Sequence, residues 1–288
     1  MTDHLDVAAA NQPVLTVTLP MSDLTPSIRT ITGTPIHLAE HGSGPRVVLV
    51  HGSAQGSAVG GEKHFANQAS LAGKGWTVIT PDRPGHGLSP APDRGDDADL
   101  DGVWVAELLG EGGHLVGHSF GGAVALAAAS QRPEAVRTLT LIEPALQKVA
   151  TDLPVVRKFI ARLILTALLS FPAATRMKRI AKFLGIPDSI RGGTSQEELA
   201  RMGQGFKRLR LPTREEITAQ LAIVREHKIP LLVVTGGWSG AFDAVAARVA
   251  ELGGGRHVVI RSPHHFPQNV SEEFNELLDG AMRAGERS

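Results

Sequence analysis

Short apolar runs recur along the chain and alternate with longer stretches of mixed, helix-like character. The runs are apolar at most positions, which is typical of strands that helices cover on both faces of a parallel sheet. They occupy residues 46–50, 77–80, 137–142, 231–235 and 257–260. Between them the pattern predicts helices near residues 64–72, 101–109, 242–252 and 271–282, and an alanine-rich helix from residue 123. This alternation of strands and helices predicts a single α/β domain.

The chain ahead of these runs divides into two parts. Residues 1–26 show no strong periodicity and contain three prolines, so we expect an N-terminal arm there. From residue 27 onward, two β-like runs flank the turn residues at 32–34. This pattern predicts a β-hairpin at the start of the domain.

The strand rhythm stops between residues 145 and 228. This stretch holds only helix-like segments broken by prolines and by the Gly192–Gly193 pair, and strand character resumes at residue 230. We therefore predict a core formed by residues 27–144 and 229–288 with an inserted helical cap at 145–228. The cap follows a strand that is expected to end beside Ser119, a candidate nucleophile. This position favours a role of the cap in substrate choice over an ordinary helical subdomain.

The most apolar part of the predicted cap runs from residue 159 to 171. It contains Arg162 and stops at Pro172, short of the roughly 20 residues that a membrane span needs, so we interpret it as a cap helix. Its apolar surface exceeds what one amphipathic helix requires, and this favours an apolar substrate. The side chains concerned are Leu163, Ile164, Leu165, Leu168 and Phe171.

The amino-acid composition excludes several kinds of binding partner and several kinds of site. Twenty-nine basic residues balance twenty-nine acidic ones, so the net charge indicates neither a nucleic acid nor a membrane surface as partner, and a small-molecule substrate is expected. The chain has no cysteine, which excludes disulfides, thiolate zinc sites and a cysteine nucleophile. The acidic N-terminus lacks the pattern of a secretory signal, so a cytoplasmic enzyme is expected. The oligomeric state stays open, with a homodimer among the options.

A candidate nucleophile lies in the segment Gly117-His118-Ser119-Phe120-Gly121, directly between an apolar run and the alanine-rich helix. The pattern G-x-S-x-G places a serine on a strained turn between a strand and a helix, with its hydroxyl exposed. Glycines two residues before and after the serine let neighbouring backbone approach closely. The helix that follows directs unpaired N–H groups and a positive dipole end towards a developing oxyanion.

A serine nucleophile needs a histidine base, and twelve histidines compete for that role. His51, His86 and His118 belong to glycine-flanked turns, where a structural or oxyanion-side role is expected. His264 and His265 follow the last predicted strand, at the edge of the sheet where catalytic groups of parallel sheets collect. The residues themselves leave both as candidates.

Three carboxylates compete to orient that histidine. Asp82 precedes the serine, against the chain order serine, acid, histidine of this type of turn. Asp243 lies where a helix begins, so helix capping explains it. Glu143 ends a buried strand with no helix to cap, and burying an unpaired carboxylate is costly. Glu143 is therefore the preferred acid, with a surface glutamate at a strand exit as the alternative.

Two backbone N–H groups are expected to form the oxyanion hole. One belongs to Phe120, which follows the nucleophile, and the other to Ser53, in the loop after His51-Gly52.

With these motifs in place, residues 27–285 resemble the α/β-hydrolase superfamily. The similarity lies in four sequence motifs: Val50-His51-Gly52-Ser53, Asp82-Arg83-Pro84-Gly85-His86-Gly87-Leu88-Ser89, Gly117-His118-Ser119-Phe120-Gly121-Gly122 and Pro263-His264-His265-Phe266-Pro267. The resemblance implies a mostly parallel eight-stranded sheet, a cap inserted after the sixth strand, and a triad of serine, histidine and acid. It favours His265 over His264 as the base.

One position departs from the family pattern. Many members carry the acid a few residues after the seventh strand, where this chain has Ser239. Other members place the acid after the sixth strand, where this chain has Glu143, and they include hydrolases that resemble the lactonases of the macrolactone zearalenone. The resemblance thus implies a Ser119–His265–Glu143 triad.

The resulting hypothesis is a serine hydrolase that cleaves an ester or lactone through an acyl-enzyme, without a metal or organic cofactor. Trp238, Phe266 and His118 are expected to contact the substrate. The alternatives on the same triad are hydrolysis of a carbon–carbon bond and acyl transfer, and an alternative of another class is a small-molecule receptor on a hydrolase scaffold. A halide-releasing enzyme would need a carboxylate in the place of Ser119.

Overall fold

The computed structural model describes residues 28–52, 54–186 and 194–287. Its centre is an eight-stranded sheet in the order β1-β2-β4-β3-β5-β6-β7-β8. The N-terminal arm predicted for residues 1–26 lies outside the described residues. The strands are β1 (Ile28–Ile31), β2 (Thr34–His41), β3 (Arg46–Val50), β4 (Thr77–Pro81), β5 (Gly113–His118), β6 (Val136–Ile142), β7 (Leu231–Thr235) and β8 (Arg256–Val259).

The direction of the strands confirms the predicted, mostly parallel sheet. Strands β1 and β2 form the predicted hairpin, β2 pairs antiparallel with β4, and all pairs from β4 to β8 are parallel. Parallel neighbours need crossover connections, and these bring the carboxyl ends of the strands to one edge of the sheet. The segments after β3, β5, β6 and β8 therefore meet at that edge.

Helices cover both faces of the sheet, as the apolar runs predict. They are α1 (Gly61–His64), α2 (Ala98–Leu108), α3 (Phe120–Gln131), α4 (Pro154–Leu168), α5 (Ala173–Phe183), α6 (Gln196–Gly205), α7 (Arg214–Glu226), α8 (Gly240–Gly253) and α9 (Glu272–Gly285). One core cluster joins the sheet to α2, α3, α7 and α8, and the second joins the opposite face to α9. In place of the helix predicted near residues 64–72, the structure has α1 followed by a 3₁₀ helix, Ala66–Lys74.

The segment between β6 and β7 contains two kinds of helix. Helices α4, α5 and α6 pack on one another in a cluster of their own, with Met177, Ile180 and Leu199 buried. Helix α7 instead buries Ile217 and Leu221 in the main core. The prediction of one cap over residues 145–228 did not include this split, because α7 has the same amphipathic pattern as a cap helix.

Across the described ranges, none of the helices combines the length and the apolar character that crossing a bilayer requires.

Candidate active site

Ser119 occupies the sharp turn between β5 and α3. Its backbone has φ 55° and ψ −120°, a conformation that L-residues rarely adopt and that turns the chain abruptly at the edge of the sheet. The turn is possible because Gly121 lies against the carbonyl oxygen of Val50, where a Cβ atom would overlap that oxygen. The predicted turn geometry is present at the predicted residues.

Glu143 is fully buried immediately after β6, and its carboxylate accepts three hydrogen bonds. The N–H of Gly236 donates to Oε1 at 2.7 Å, and Trp238 Nε1 donates to Oε2 at 3.1 Å. The third donor is His265 Nδ1, 3.1 Å from Oε2. Glu143 also has a positive φ of 44°, a strained conformation that directs the side chain across the end of β7. These contacts meet the requirement for partners that burial imposes on a carboxylate.

The bond to Glu143 determines which nitrogen of His265 carries the proton. An ionised carboxylate only accepts, so in the neutral ring Nδ1 holds the proton and Nε2 keeps a lone pair. Nε2 is buried and has no hydrogen-bond partner among the described residues. His265 and Ser119 line the same cavity, so the free nitrogen belongs to a ring that shares the space with the serine. Nε2 is therefore available as a proton acceptor in this cavity.

The competing acids and the competing histidine have other partners. Thr235 donates to Asp243 Oδ1 at 2.6 Å. Asp82 accepts from the N–H groups of Gly61 and Leu88 and bonds to His37. His264 Nδ1 accepts from the N–H of Phe266, within its own loop. The contacts thus place Glu143 alone of the three carboxylates on His265.

Trp238 contacts Glu143 and does not lie along the cavity that contains Ser119. Its indole N–H donates to Glu143, and it is not among the described residues that line the cavity. Ser239, at the position where many family members carry the acid, precedes the first turn of α8. The expectation that Trp238 contacts substrate is not supported by this position. The hydrogen bond from Trp238 to Glu143 could not be predicted, because nothing in the sequence pattern indicates it.

His118 connects the serine turn to the loop of His265. His118 Nε2 lies 2.7 Å from the carbonyl oxygen of His265, and His118 Nδ1 lies 2.8 Å from His64 Nε2. Since a carbonyl only accepts, His118 donates from Nε2 and accepts at Nδ1 from His64. Burial is the main cause that lowers the pKa of both rings well below the ordinary value, and this keeps them neutral. His118 lines the cavity, as expected of a substrate contact, but both of its nitrogens are bonded to protein.

A buried arginine supports the opposite side of the turn. Arg83 is paired with Asp96 at 2.8 Å and with Asp101 at 3.1 Å, and its guanidinium lies 4.7 Å from the centre of the Phe120 ring. The N–H of Arg83 donates to His51 Nε2 at 2.9 Å. This bond connects His51 to the segment after β4, and the structural or oxyanion-side role expected of His51 stays a prediction.

One of the two predicted oxyanion donors is described. Phe120 is the first residue of α3, so its N–H is among the groups that the helix cannot pair internally. Gly52 passes so close that a Cβ atom there would lie 2.8 Å from Ser119 Cβ. This brings the loop after β3 to the serine. Ser53, the second predicted donor, lies outside the described residues.

The cavity above Ser119 has a volume of about 160 Å³ and is mainly apolar. Helices α4 and α5 contribute Phe159, Leu163, Met177, Ile180 and Ala181, and Phe266 lines it as predicted. Of the described residues lining it, none is Lys, Arg, Asp or Glu. Nor does the described part of the chain contain a group of His, Asp or Glu side chains that could hold a metal ion. The arrangement suits a small, uncharged, apolar group next to Ser119.

Residues 47–277 match the model of the alpha/beta hydrolase family. A 2-(acetamidomethylene)succinate hydrolase of Mesorhizobium japonicum is 27% identical over 83% of this chain and 88% of its own length. A 2-hydroxy-6-oxo-6-phenylhexa-2,4-dienoate hydrolase of Burkholderia cepacia is 33% identical, but over only 38% of this chain and 40% of its own length.

Solved structures show the same fold. An esterase from Thermogutta terrifontis superposes with a TM-score of 0.67 at 19% identity, covering 91% of this chain and 99% of its own. A meta-cleavage product hydrolase from Pseudomonas fluorescens superposes with a TM-score of 0.65 at 19% identity, covering 90% and 97%. The match of residues 47–277 to the family model shows that this chain belongs to the alpha/beta hydrolase family.

Proposed function

We propose that the protein hydrolyses a carboxylic ester or lactone of a small apolar acid, with Ser119 as nucleophile, His265 as base and Glu143 as the acid that orients it. The observation that carries the proposal is the bond from His265 Nδ1 to Glu143, which leaves Nε2 unpaired in the cavity of Ser119. This is the arrangement that a serine needs to lose its proton as it attacks a carbonyl.

The reaction proceeds in two stages. Ser119 Oγ attacks the ester carbonyl while its proton passes to His265 Nε2, and Glu143 stabilises the imidazolium that results. The oxyanion accepts from the N–H of Phe120 and from the loop after Gly52. The intermediate expels the alcohol, which takes the proton from His265 and leaves an acyl group on Ser119. Water then loses a proton to His265 as it attacks the acyl carbon. The second intermediate releases the acid while His265 returns that proton to Ser119 Oγ, which restores the free enzyme.

The cavity supports an apolar acyl group of limited size. A volume of about 160 Å³ is comparable with an apolar cavity that takes benzene, so an acyl group of about six to eight heavy atoms fits. Apolar walls with few polar groups favour such a substrate through the hydrophobic effect. Short-chain and aromatic esters are therefore the first substrates to test.

Carbon–carbon bond hydrolysis is the second candidate, because curated relatives include a hydrolase of a dienoate with a 6-oxo-6-phenyl group. That substrate and 2-(acetamidomethylene)succinate both carry carboxylates, which bind most favourably to Arg or Lys. No such side chain is found among the described residues that line this cavity. The absence of a cationic partner from these described residues favours a neutral ester over these acids.

The proposal is tested by measuring turnover of p-nitrophenyl esters, a lactone panel and 6-oxo-dienoates by the purified protein. We expect ester turnover that Ser119→Ala reduces by about 10³-fold or more. Ester turnover that survives in Ser119→Ala contradicts the assigned nucleophile. Cleavage of the dienoates without ester turnover supports the second candidate, and transfer of the acyl group to an added alcohol in preference to water indicates an acyltransferase. Ligand-dependent stabilisation with a single slow turnover indicates a receptor.

A further inference from the structure

The outer surface of the α4–α5 pair exposes large apolar side chains at one end. Ile164, Leu165, Leu168, Leu169 and Phe171 form this group, here called the apolar tip. Leu168, Leu169 and Phe171 are 75%, 70% and 86% exposed. Leu163 alone of the apolar residues predicted to favour substrate faces the cavity, while the other four belong to the tip. Contiguous exposed side chains of this size mark a binding surface in a soluble protein.

The tip is held in place by packing beneath it. Arg176 on α5 is buried, and its Nε donates to the carbonyl oxygen of Ala167 at 2.8 Å, near the end of α4. Arg179 reaches the turn itself, with Nη1 3.4 Å from Ser170 Oγ. The inner faces of the same helices carry Phe159 and Met177 into the cavity. The exposure of the tip is therefore a property of the folded cap.

The charges on α4, on α5 and on the turn between them all have one sign. Residues 153–187 contain seven basic residues and no acidic residue, although the whole chain has equal numbers of both. The basic side chains exposed on α4 and α5 are Arg157, Lys158, Arg162, Lys178, Arg179 and Lys182. The rest of the chain consequently has seven more acidic than basic residues. The resulting charge asymmetry orients the molecule with the tip towards a negative surface.

We propose that the apolar tip and its basic surround form a docking surface for an anionic lipid bilayer. Leucine and phenylalanine side chains enter the boundary between headgroups and acyl chains, while lysine and arginine remain at the level of the phosphates. A second copy of the chain fits less well, because a symmetric dimer through the tip brings two basic segments together without an acidic group from residues 153–187. The zero net charge had indicated no membrane partner, and its uneven distribution leads to the opposite inference.

The test is co-sedimentation of the full chain with vesicles of phosphatidylcholine alone and with vesicles that contain phosphatidylcholine and phosphatidylglycerol in equal parts. We expect binding to the anionic vesicles only, and weaker binding as the salt concentration rises. The double variant Leu168→Ser, Phe171→Ser is expected to lower the partition coefficient by about tenfold or more. Lys178→Gln with Lys182→Gln is expected to lower it by about tenfold at low salt.

Two substitutions outside α4 and α5 serve as controls. Leu100→Ser removes an apolar side chain of α2 that is 52% exposed, and Lys74→Gln removes an exposed charge, so both are expected to bind vesicles like the unmodified protein. The proposal is overturned if the unmodified protein does not bind anionic vesicles or if the tip variant binds them equally well. It is also overturned if light scattering shows a dimer that the tip variant abolishes.

The measurement is independent of the proposed reaction. None of the substituted side chains lines the cavity in the described structure, so each variant is expected to keep the unmodified rate on a water-soluble short ester. A protein that binds vesicles but lacks ester turnover refutes the proposed reaction and retains the docking surface. A protein with ester turnover that does not bind vesicles refutes the docking surface and retains the proposed reaction.

Discussion

Glu143→Gln separates the proposed acid from its competitors with the least change in shape. The carboxylate accepts from Gly236 at Oε1 and from both Trp238 and His265 at Oε2. A glutamine has one accepting oxygen and one NH₂ group, so in either orientation a donor faces a donor. If the NH₂ group faces His265, the ring proton moves to Nε2 and the base is lost. If it faces Gly236, a buried backbone N–H loses its partner.

The expected cost follows from these contacts. When the NH₂ group faces His265, loss of the correct tautomer and of the charge that stabilises the imidazolium lowers kcat by about 10³- to 10⁴-fold, or about 4–5.5 kcal/mol in activation free energy. When it faces Gly236, the tautomer is kept and only the charge is lost. One unsatisfied buried donor lowers the free energy of unfolding by about 1–3 kcal/mol. The loss of kcat is large and the loss of free energy of unfolding is moderate, so the Glu143→Gln variant is expected to fold and to lack activity.

The assay is steady-state hydrolysis of a short p-nitrophenyl ester, with thermal unfolding followed by circular dichroism on the same sample. Asp243→Asn is the matched control, because Asp243 contacts Thr235 and not His265 among the described residues, and it is expected to keep kcat within about threefold. A Glu143→Gln variant that retains a tenth or more of the unmodified kcat refutes the assignment. A larger loss of kcat in Asp243→Asn than in Glu143→Gln also refutes the assignment.

Three further predictions concern the cavity, the turn at Ser119 and the buried His114. Ala181→Leu narrows the cavity and is expected to reduce kcat/KM for a hexanoate ester about tenfold more than for an acetate ester; equal losses would place the acyl group elsewhere. Gly121→Ala sets a Cβ atom against the carbonyl oxygen of Val50 and is expected to lower the free energy of unfolding by about 1–3 kcal/mol, measured in urea; an unchanged midpoint would contradict the close approach. Burial lowers the pKa of His114 to about 4, so below about pH 6.5 the unfolded chain binds a proton that the folded chain does not, and stability falls as the pH falls towards 4. Urea titrations between pH 7 and pH 5 are expected to show this fall, and His114→Gln to reduce its slope by up to about 1.4 kcal/mol per pH unit; an identical slope would show that His114 does not contribute.

Much of the fold could be predicted because its signals are local. The strand runs and the turn at Ser119 depend on residues adjacent in the chain, and parallel connections place every strand end at one edge. That rule placed Glu143 and the pair His264 and His265 at the same edge, although 122 positions separate Glu143 from His265, and the family resemblance then favoured His265. It could not rank Glu143 above Asp243 by contact, since both follow strands that end at the same edge.

The residues alone predict the succession of strands and helices along the chain, the serine turn and a short set of partners at the strand ends. The packing of the folded chain adds that Trp238 supports Glu143, that His118 and His64 hold the loop of His265, and that α7 lies in the core. It also shows that Leu163 faces the cavity while Leu165 faces outward. These features could not be predicted because the direction of a side chain depends on how each helix or loop is rotated against its neighbours, and the apolar pattern does not encode that rotation.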